Sequence, residues 1–180
     1  MNKLNAAFFD LDGTIIKDVG YLSDIKQVEI IQDSLNLILY LQSNNYKIFV
    51  ITNQSGVARG YFDLEFINKK HEYINNLLLK QNIIITKYYT CPHYNEPDKV
   101  INKKYLKNCD CRKPKPGLIL QAASSFNIDL TKSLMFGDKI LDIKAGEAAG
   151  CKSFYIQKFF NIPKKDKLKF YENIFKDILK

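Results

Sequence analysis

Short apolar runs recur along the chain, and several of them stop at a polar loop. Residues 6–9 form such a run directly before Asp10, and residues 47–51 form another directly before Thr52. Similar runs occupy residues 83–90, 133–136 and 152–156. Short apolar segments bounded by polar residues are typical of buried strands. We therefore predict a β-strand at each of these runs.

Helical periodicity fills the segments between the predicted strands. Over residues 25–41 a broad apolar face is formed by Ile30, Ile31, Leu35, Ile38, Leu39 and Leu41, which predicts a helix. Further helices are predicted at residues 64–80, 117–126, 143–149 and 167–179. Strands that alternate with helices imply right-handed β-α-β units and a mostly parallel sheet. The predicted fold class is α/β, a Rossmann-like three-layer sandwich, in a single domain spanning residues 1–180.

Three polar motifs come directly after predicted strands. They are DLDGT at residues 10–14, TNQSG at residues 52–56 and GDKILD at residues 137–142. Ligands of such sheets bind outside the carboxyl ends of the strands. We therefore expect the three motifs to converge on one edge of the sheet.

The first and third motifs supply carboxylates. Asp10 and Asp12 are two residues apart at a strand end, so both can face one cleft, and Asp138 would add a third carboxylate. Hard oxygen ligands at one sheet edge indicate a Mg²⁺ site, because Mg²⁺ pairs carboxylates with a substrate phosphate. Gly13 would allow the tight turn that follows. The alternative is a solvated Asp-Gly turn without a metal.

A second group could hold a phosphoryl group. Thr52 and Asn53 follow the second strand, and Lys113 follows a pair of cysteines. A hydroxyl, loop amides and an ammonium suit the equatorial oxygens of a transferring phosphoryl group. Taken singly, Thr52 could cap a helix and Lys113 could be a solvated lysine.

The segment of residues 91–111 contains a possible metal site. Cys91 and His93 form a C-x-H pair, and Cys109 and Cys111 form a C-x-C pair. Four such ligands suit tetrahedral Zn²⁺, and the spacing is not that of a DNA-reading finger. Free cysteines in a surface loop are the alternative. Cys151 lies on a predicted strand and is expected to pack in the core.

The composition excludes several classes of protein. With 46% hydrophobic and 26% charged residues, the chain fits an ordinary globular protein. No segment reaches the ~18–20 apolar residues of a membrane span, and the N-terminus lacks the pattern of a signal peptide. Four cysteines, one of them isolated, make a poor disulfide framework. We therefore expect a cytoplasmic protein with no membrane partner.

The formal net charge of +8 raises the question of an anionic partner. The lysines are scattered, however, and no basic face with interleaved aromatic residues stands out. We favour compositional drift and keep a basic zinc-containing nucleic-acid-binding module as the non-enzyme alternative. Arg59 and Arg112, the chain's two arginines, are expected where a planar, bidentate guanidinium is needed.

FFDLDGT, TNQSG, the lysine of RKPKPG and GDKILD resemble the four ordered motifs of haloacid dehalogenase superfamily phosphatases. The resemblance implies that Asp10 is the nucleophile that forms an aspartyl-phosphate. It implies that Asp12 protonates the leaving oxygen and then activates water, and that Thr52 and Lys113 stabilise the phosphoryl group. Mg²⁺ would be held by Asp10, Asp138 and the backbone carbonyl of Asp12, with Asp142 in support.

DVGYL, the full TNQSGVARGYF and CPH…CDCRKPKPG are similar to the heptose bisphosphate 7-phosphatase family, in the histidinol-phosphatase-like branch. That resemblance implies a structural zinc in a loop inserted at residues 91–111, no large cap domain, and catalytic roles that include Arg112. It implies a substrate-binding set of Asp10, Leu11, Asp12, Asp18, Val19, Gly20, Tyr21, Thr52, Asn53, Gln54, Ser55, Arg112, Lys113 and Lys139. Leu11 departs from the family, which more often has arginine there.

The expected activity is removal of the 7-phosphate from D-glycero-D-manno-heptose 1,7-bisphosphate, and the expected partner is a small phosphorylated sugar rather than a nucleic acid. A monomer is expected. Histidinol-phosphate phosphatase is the nearest alternative, but that family usually has an acidic residue where this chain has Ser55, and it lacks DVGYL. A nucleic-acid 3′-end phosphatase is a further alternative, supported only by the charge.

Overall fold

The apolar runs form a five-stranded sheet, in which the strands lie in the order β3-β2-β1-β4-β5 and all neighbours are parallel. The computed structural model describes residues 3–22 and 24–178. The strands are β1 (Ala6–Phe9), β2 (Lys47–Asn53), β3 (Ile85–Cys91), β4 (Leu134–Gly137) and β5 (Lys152–Tyr155). The parallel sheet predicted from the sequence is thereby confirmed.

Alternate strand residues face two separate apolar layers. Phe9 of β1 and Val50 of β2 belong to one core cluster, whereas Phe8 and Phe49 belong to the other. Successive side chains of a strand point to opposite faces, so strands that are apolar throughout can be buried on both sides. This explains why the runs are continuous rather than alternating.

Helices cover both faces of the sheet. They are α1 (Gln32–Ser43), α2 (Leu64–Leu79), α3 (Gly117–Phe126), α4 (Ile140–Ala149) and α5 (Lys167–Phe175). Buried residues of α1, α2 and α5 join the first cluster, and those of α3 and α4 join the second. The result is the three-layer sandwich predicted from the sequence.

The predicted helix over residues 25–41 is wrong in its first part. Ile25–Gln27 form only a 3-10 turn capped by Asp24, and Ile30 makes an antiparallel bridge with Ile16. Apolar residues in an extended segment that packs on the core mimicked the spacing of a helix face. The helix begins at Gln32.

Other boundaries moved by a few residues, and one predicted helical position was wrong. Leu39 is 37% exposed, while Leu37 is fully buried in its place. The helix predicted from residue 143 begins at Ile140, because the Asp142 carboxylate accepts the backbone N–H of Lys139 and stabilises an earlier first turn. The helix predicted at residues 167–179 ends earlier, at Phe175, and Leu179 lies outside the described residues.

Cys151 and His71 have packing roles. Cys151 is buried in the second cluster, as predicted. The His71 ring stacks on Tyr88 at 4.4 Å between centroids, and burial lowers the pKa of His71 to about 3. His71 is therefore neutral near pH 7 and acts as a packing residue. Across residues 3–22 and 24–178, each helix is too short or too polar to cross a bilayer.

Asp33 connects α1 to the C-terminal segment. Its carboxylate accepts a hydrogen bond from the Lys167 Nζ at 2.6 Å and another from the Asn161 backbone N–H at 3.0 Å. Burial alone would raise the pKa of Asp33, but these hydrogen bonds outweigh it and lower that pKa. The ionised form of Asp33 is therefore more stable in the folded chain than in the unfolded chain.

We predict that Asp33→Asn lowers the free energy of unfolding by about 1 kcal/mol at pH 7, or a few degrees in Tm. Because the folded-state pKa is depressed, the stabilisation is present above the unfolded pKa of about 3.9 and is lost as the pH falls through the folded value. The difference in Tm from wild type should therefore shrink below about pH 4. Glu29→Gln is the control, since its ion pair with Lys17 is exposed. An equal loss in both variants would contradict the prediction.

Candidate active site

Asp10 lies at the carboxyl end of the central strand. Its backbone N–H donates to the Phe136 carbonyl at 2.9 Å, which continues the pairing of β1 with β4. The residue is only 7% exposed. Burial raises the pKa of Asp10 to about 7, although the neighbouring Lys113 ammonium acts in the opposite direction. A carboxylate in this position is stabilised by any additional cation.

The Lys113 ammonium is buried against three acceptors. Its Nζ lies 2.6 Å from Asp10 Oδ1, 2.6 Å from Asp142 Oδ1 and 2.8 Å from the Ile51 carbonyl. Burial would lower the pKa of Lys113, but the two carboxylates outweigh it and raise that pKa. The lysine is therefore a charged group in the site rather than a solvated surface residue.

Asn53 holds the main chain of Lys113. Its Oδ1 accepts the Lys113 backbone N–H at 3.1 Å, and its Nδ2 donates to the Lys113 carbonyl at 3.2 Å. Asn53 ends β2, so this pair of hydrogen bonds attaches the end of the cysteine-containing loop to the sheet. The predicted convergence of TNQSG and Lys113 is observed.

Carboxylate oxygens of Asp10, Asp138 and Asp142 all lie within 4.8 Å of one another. Both Asp142 oxygens already have partners, Lys113 and the Lys139 backbone N–H. Asp138 Oδ1, by contrast, is buried without a hydrogen-bond partner among the described residues. A buried oxygen in this state beside Asp10 fits a hard cation such as Mg²⁺.

The position of Asp138 also explains why residue 13 is a glycine. Gly13 has φ of +84°, and a Cβ on it would lie 2.5 Å from Asp138 Oδ2. A side chain at position 13 would therefore displace the carboxylate with the orphan oxygen. The glycine is needed both for the turn and for the close approach of Asp138.

The carboxylate of Asp12 points to different partners from that of Asp10. Its Oδ2 accepts from Gln54 Nε2 at 2.7 Å, and its Oδ1 lies 3.4 Å from Lys70 Nζ. Gln54 Nε2 also lies 2.9 Å from the buried Thr52 hydroxyl oxygen. The side chain of Asp12 is therefore outside the carboxylate cluster, which leaves only its backbone carbonyl for the predicted Mg²⁺ set.

A cavity of about 270 Å³ opens beside Asp12. Of the predicted substrate-binding residues, its lining includes Asp12, Asp18, Gly20, Tyr21, Asn53, Gln54, Ser55 and Lys139. Asp18 and Lys139 form an ion pair of 3.0 Å across it. The cavity also contacts Phe62 and Lys70, which were not predicted.

The other six predicted substrate-binding residues are not in this lining. Asp10, Thr52 and Lys113 are buried in the contacts described above, and the remaining three lie elsewhere. The Leu11 side chain is fully buried in the apolar core, so any contact with a substrate would fall to its main chain. Val19 is 51% exposed and lines a separate groove with Lys26 and Glu29. Arg112 lines a neighbouring cavity of about 340 Å³ together with Lys113.

The chain's two arginines flank one tyrosine ring. The guanidinium carbons of Arg59 and Arg112 lie 4.2 and 5.0 Å from the centroid of Tyr94, at distances typical of cation–π contacts. Arg112 Nη1 also donates to the His93 carbonyl at 3.2 Å. The planar guanidinium groups are therefore used to pack the segment after TNQSG against the cysteine-containing loop.

The four predicted zinc ligands converge. The Cys111 Sγ lies 3.1 Å from the Sγ atoms of both Cys91 and Cys109, and 3.2 Å from His93 Nδ1. All four cysteines are free. Ligand atoms about 2.0–2.3 Å from one tetrahedral Zn²⁺ would lie within about 4 Å of each other, so the cluster fits such an ion and does not form a disulfide.

Lys70 was missed because no motif contains it. The helix α2 buries Ile67, Lys70, His71, Ile74 and Leu78, so Lys70 occupies a position on the apolar face. A lysine at helical spacing between isoleucines was the available signal. Arg59 and Tyr94 were missed as a pair because they meet only through loop packing.

The sheet order, with a buried aspartate at the end of its central strand and a lysine bound to it, is the arrangement that the motif resemblance to haloacid dehalogenase superfamily phosphatases implies. The solved structure of a putative had-like phosphatase from Mesorhizobium loti has a TM-score of 0.78 at 31% identity and covers 83% of this chain and 70% of that one, which confirms the resemblance. Residues 5–172 match the family model described as polynucleotide kinase 3 phosphatase. The chain belongs to that family.

Three named relatives show which kind of phosphatase this chain is similar to. The D-glycero-beta-D-manno-heptose-1,7-bisphosphate 7-phosphatase of Pasteurella multocida is 39% identical over 153 residues, which cover 85% of this chain and 81% of the relative. The D-glycero-alpha-D-manno-heptose-1,7-bisphosphate 7-phosphatase of Photorhabdus laumondii is 38% identical over 157 residues, which cover 87% of this chain and 84% of the relative. The crystal structure of D,D-heptose 1,7-bisphosphate phosphatase from B. bronchiseptica, complexed with magnesium and phosphate, has a TM-score of 0.76 at 25% identity. It covers 97% of this chain and 99% of that one.

We predict that Cys109→Ala loses the bound metal and lowers kcat/KM about 10- to 100-fold. Cys109 is not one of the groups that accept from the Lys113 ammonium. The expected loss of activity would therefore come from displacement of Arg112 and Lys113. Metal analysis and steady-state kinetics measure the two effects. Cys151→Ala is the control, and it should retain both metal and activity. A metal-free Cys109→Ala protein with full activity would show that the cluster does not position the site.

Proposed function

We propose that this chain is a Mg²⁺-dependent phosphatase that removes the 7-phosphate of D-glycero-D-manno-heptose 1,7-bisphosphate. The observation that supports this chemistry is that two aspartates at the end of one strand have different surroundings. Asp10 is buried and bound to Lys113, whereas Asp12 faces the cavity with its own partners. The names of the relatives support the substrate.

In the first step, an Asp10 oxygen forms a bond to phosphorus while the bond from phosphorus to the sugar oxygen breaks. Asp12 gives its proton to the departing oxygen. In the second step, Asp12 takes a proton from water, whose oxygen attacks phosphorus and releases phosphate from Asp10. Both aspartates end in their starting states.

Lys113 and Thr52 serve the phosphoryl group in this proposal. The ammonium is charged and stays held by Asp142 and the Ile51 carbonyl, so only the N–H that it gives to Asp10 has to turn to a phosphoryl oxygen. Asp10, Asp138 and the Asp12 backbone carbonyl would hold Mg²⁺. When bound, Mg²⁺ supplies positive charge that neutralises the phosphate and the carboxylates around it.

The cavity beside Asp12 fits a small polar substrate. Its volume of about 270 Å³ lies just below the range of about 300–1,000 Å³ that is typical of ligand sites. Asp18, Asn53, Ser55 and Lys139 would hydrogen-bond sugar hydroxyls, and Lys139 with Arg112 would serve the distal phosphate. Ser55 at this wall also favours the heptose over histidinol phosphate, whose phosphatases usually carry an acidic residue there.

The proposal includes a structural Zn²⁺ at Cys91, His93, Cys109 and Cys111, and a single domain over residues 1–180 that acts as a cytoplasmic monomer. The free cysteines support a reducing compartment. Membership of a phosphatase family argues against the non-enzyme zinc module. The family description makes a nucleic-acid 3′-phosphate the alternative substrate, and the net charge of +8 agrees with it.

We expect phosphate release from the heptose bisphosphate, supplied as its alpha and beta anomers in turn, with kcat/KM for the preferred anomer at least about tenfold above that for competing substrates. The panel contains histidinol phosphate, fructose 1,6-bisphosphate and a 3′-phosphorylated oligonucleotide. Chelation should abolish release, and added Mg²⁺ should restore it. Preference for the oligonucleotide would overturn the sugar substrate and favour the alternative.

We expect Asp10→Asn to lose turnover by about 10⁴-fold or more, because the amide cannot form the acyl phosphate. Circular dichroism should show that the variant remains folded. Retained turnover by a folded Asp10→Asn protein would overturn the mechanism whatever the substrate.

A further inference from the structure

Lys70 is a buried charge that the mechanism above does not use. Its side chain is only 3% exposed on α2, and burying an ammonium is costly unless it is paired. The preceding residue, Lys69, is 60% exposed and pairs with Glu65 on the helix surface. The burial of Lys70 is therefore a property of its position and not of a lysine-rich helix.

The ion-pair partner of Lys70 within the described ranges is Asp12. Lys70 Nζ lies 3.4 Å from Asp12 Oδ1, while Gln54 Nε2 lies 2.7 Å from Asp12 Oδ2. The carboxyl group is thus held from two directions, by a residue of α2 and by a residue after β2. A carboxylate oxygen has two lone pairs, so Oδ1 can accept from Lys70 with one of them and carry a proton on the other.

Lys70 also faces the substrate cavity, whose lining includes both Lys70 and Asp12. Asp12 lies in the loop after β1, directly before the turn at Gly13 with its positive φ. A residue on a regular helix offers a more rigid point of attachment. A displacement of about 1 Å at a reacting group can cost a factor of about 100 in rate.

We propose that Lys70 is a positioning residue that holds Asp12 Oδ1 against the leaving oxygen of the substrate. The inference rests on the proposed role of Asp12 as the proton donor. Lys70 keeps its own protons throughout. The bond from phosphorus to the leaving oxygen breaks as Asp10 bonds to phosphorus, and the proton passes from Asp12 to that oxygen.

The test uses phosphate esters whose leaving phenols differ in acidity. Phenols of high acidity depart without a proton, whereas weakly acidic phenols and alcohols need one. Because kcat/KM covers only the steps up to the departure of the leaving group, a plot of log kcat/KM against phenol pKa measures proton donation by Asp12. Wild type should give a shallow slope.

Lys70→Met should steepen that slope. We expect kcat/KM to fall about 10- to 100-fold for the least acidic phenol and less than about threefold for p-nitrophenyl phosphate. Lys70→Arg keeps the charge and should restore part of the shallow slope. Lys69→Met, which removes the exposed neighbour of Lys70 from the same helix, should match wild type.

An unchanged slope in Lys70→Met, with a uniform loss of rate for all esters, would overturn the proposal, because Lys70 would then act in folding or binding alone. If circular dichroism shows that Lys70→Met is unfolded, Lys70→Gln is measured against the same criteria. A steep slope in wild type would also overturn it, since Asp12 would not be donating. A steeper slope in the variant without turnover of the heptose bisphosphate would leave Lys70 in its role and remove only the sugar substrate.

Discussion

The ammonium of Lys113 joins the parts of the molecule that make up the site. It contacts Asp10 after β1, the Ile51 carbonyl in β2 and Asp142 in α4. A buried charge is tolerated only where every donor is matched, so these three segments must meet in one arrangement. The carboxylate cluster, with its orphan oxygen on Asp138, follows from that arrangement.

The cysteine cluster lies in the segment that leads to Lys113, whose position must be fixed. Lys113 comes two residues after Cys111, at the end of a loop with little regular structure. Two attachments hold that end, the Asn53 hydrogen bonds to the Lys113 main chain and the packing of Arg112 on Tyr94. The converging side chains of Cys91, His93, Cys109 and Cys111 add a third restraint next to them. A long loop without a core of its own can in this way present a lysine to the sheet edge at a defined position.

Much of the fold and part of the site could be predicted from the chain. Apolar strands with polar motifs at their ends predicted the sheet and the meeting of Asp10 and Asp138, and the resemblance to known phosphatases added Lys113 to the site. The helix over residues 25–41 was wrong in its first part, because an extended segment packed on the core carries the same apolar spacing. Six of the predicted substrate-binding residues do not line the main cavity, among them Leu11, Val19 and Arg112, since adjacency in a motif does not determine where a side chain points.

The sheet, the order of the motifs and the residue types that phosphoryl transfer needs could all be read from the order of residues along the chain. These features depend on local periodicity and on the rule that parallel strands end at one edge. The partners of each carboxylate, by contrast, became known from the folded structure alone. In the folded chain, Lys113 forms ion pairs with Asp10 and Asp142, and Lys70 forms an ion pair with Asp12. Pairing of buried charges depends on distances between segments far apart in the chain, which hydrophobic spacing does not encode.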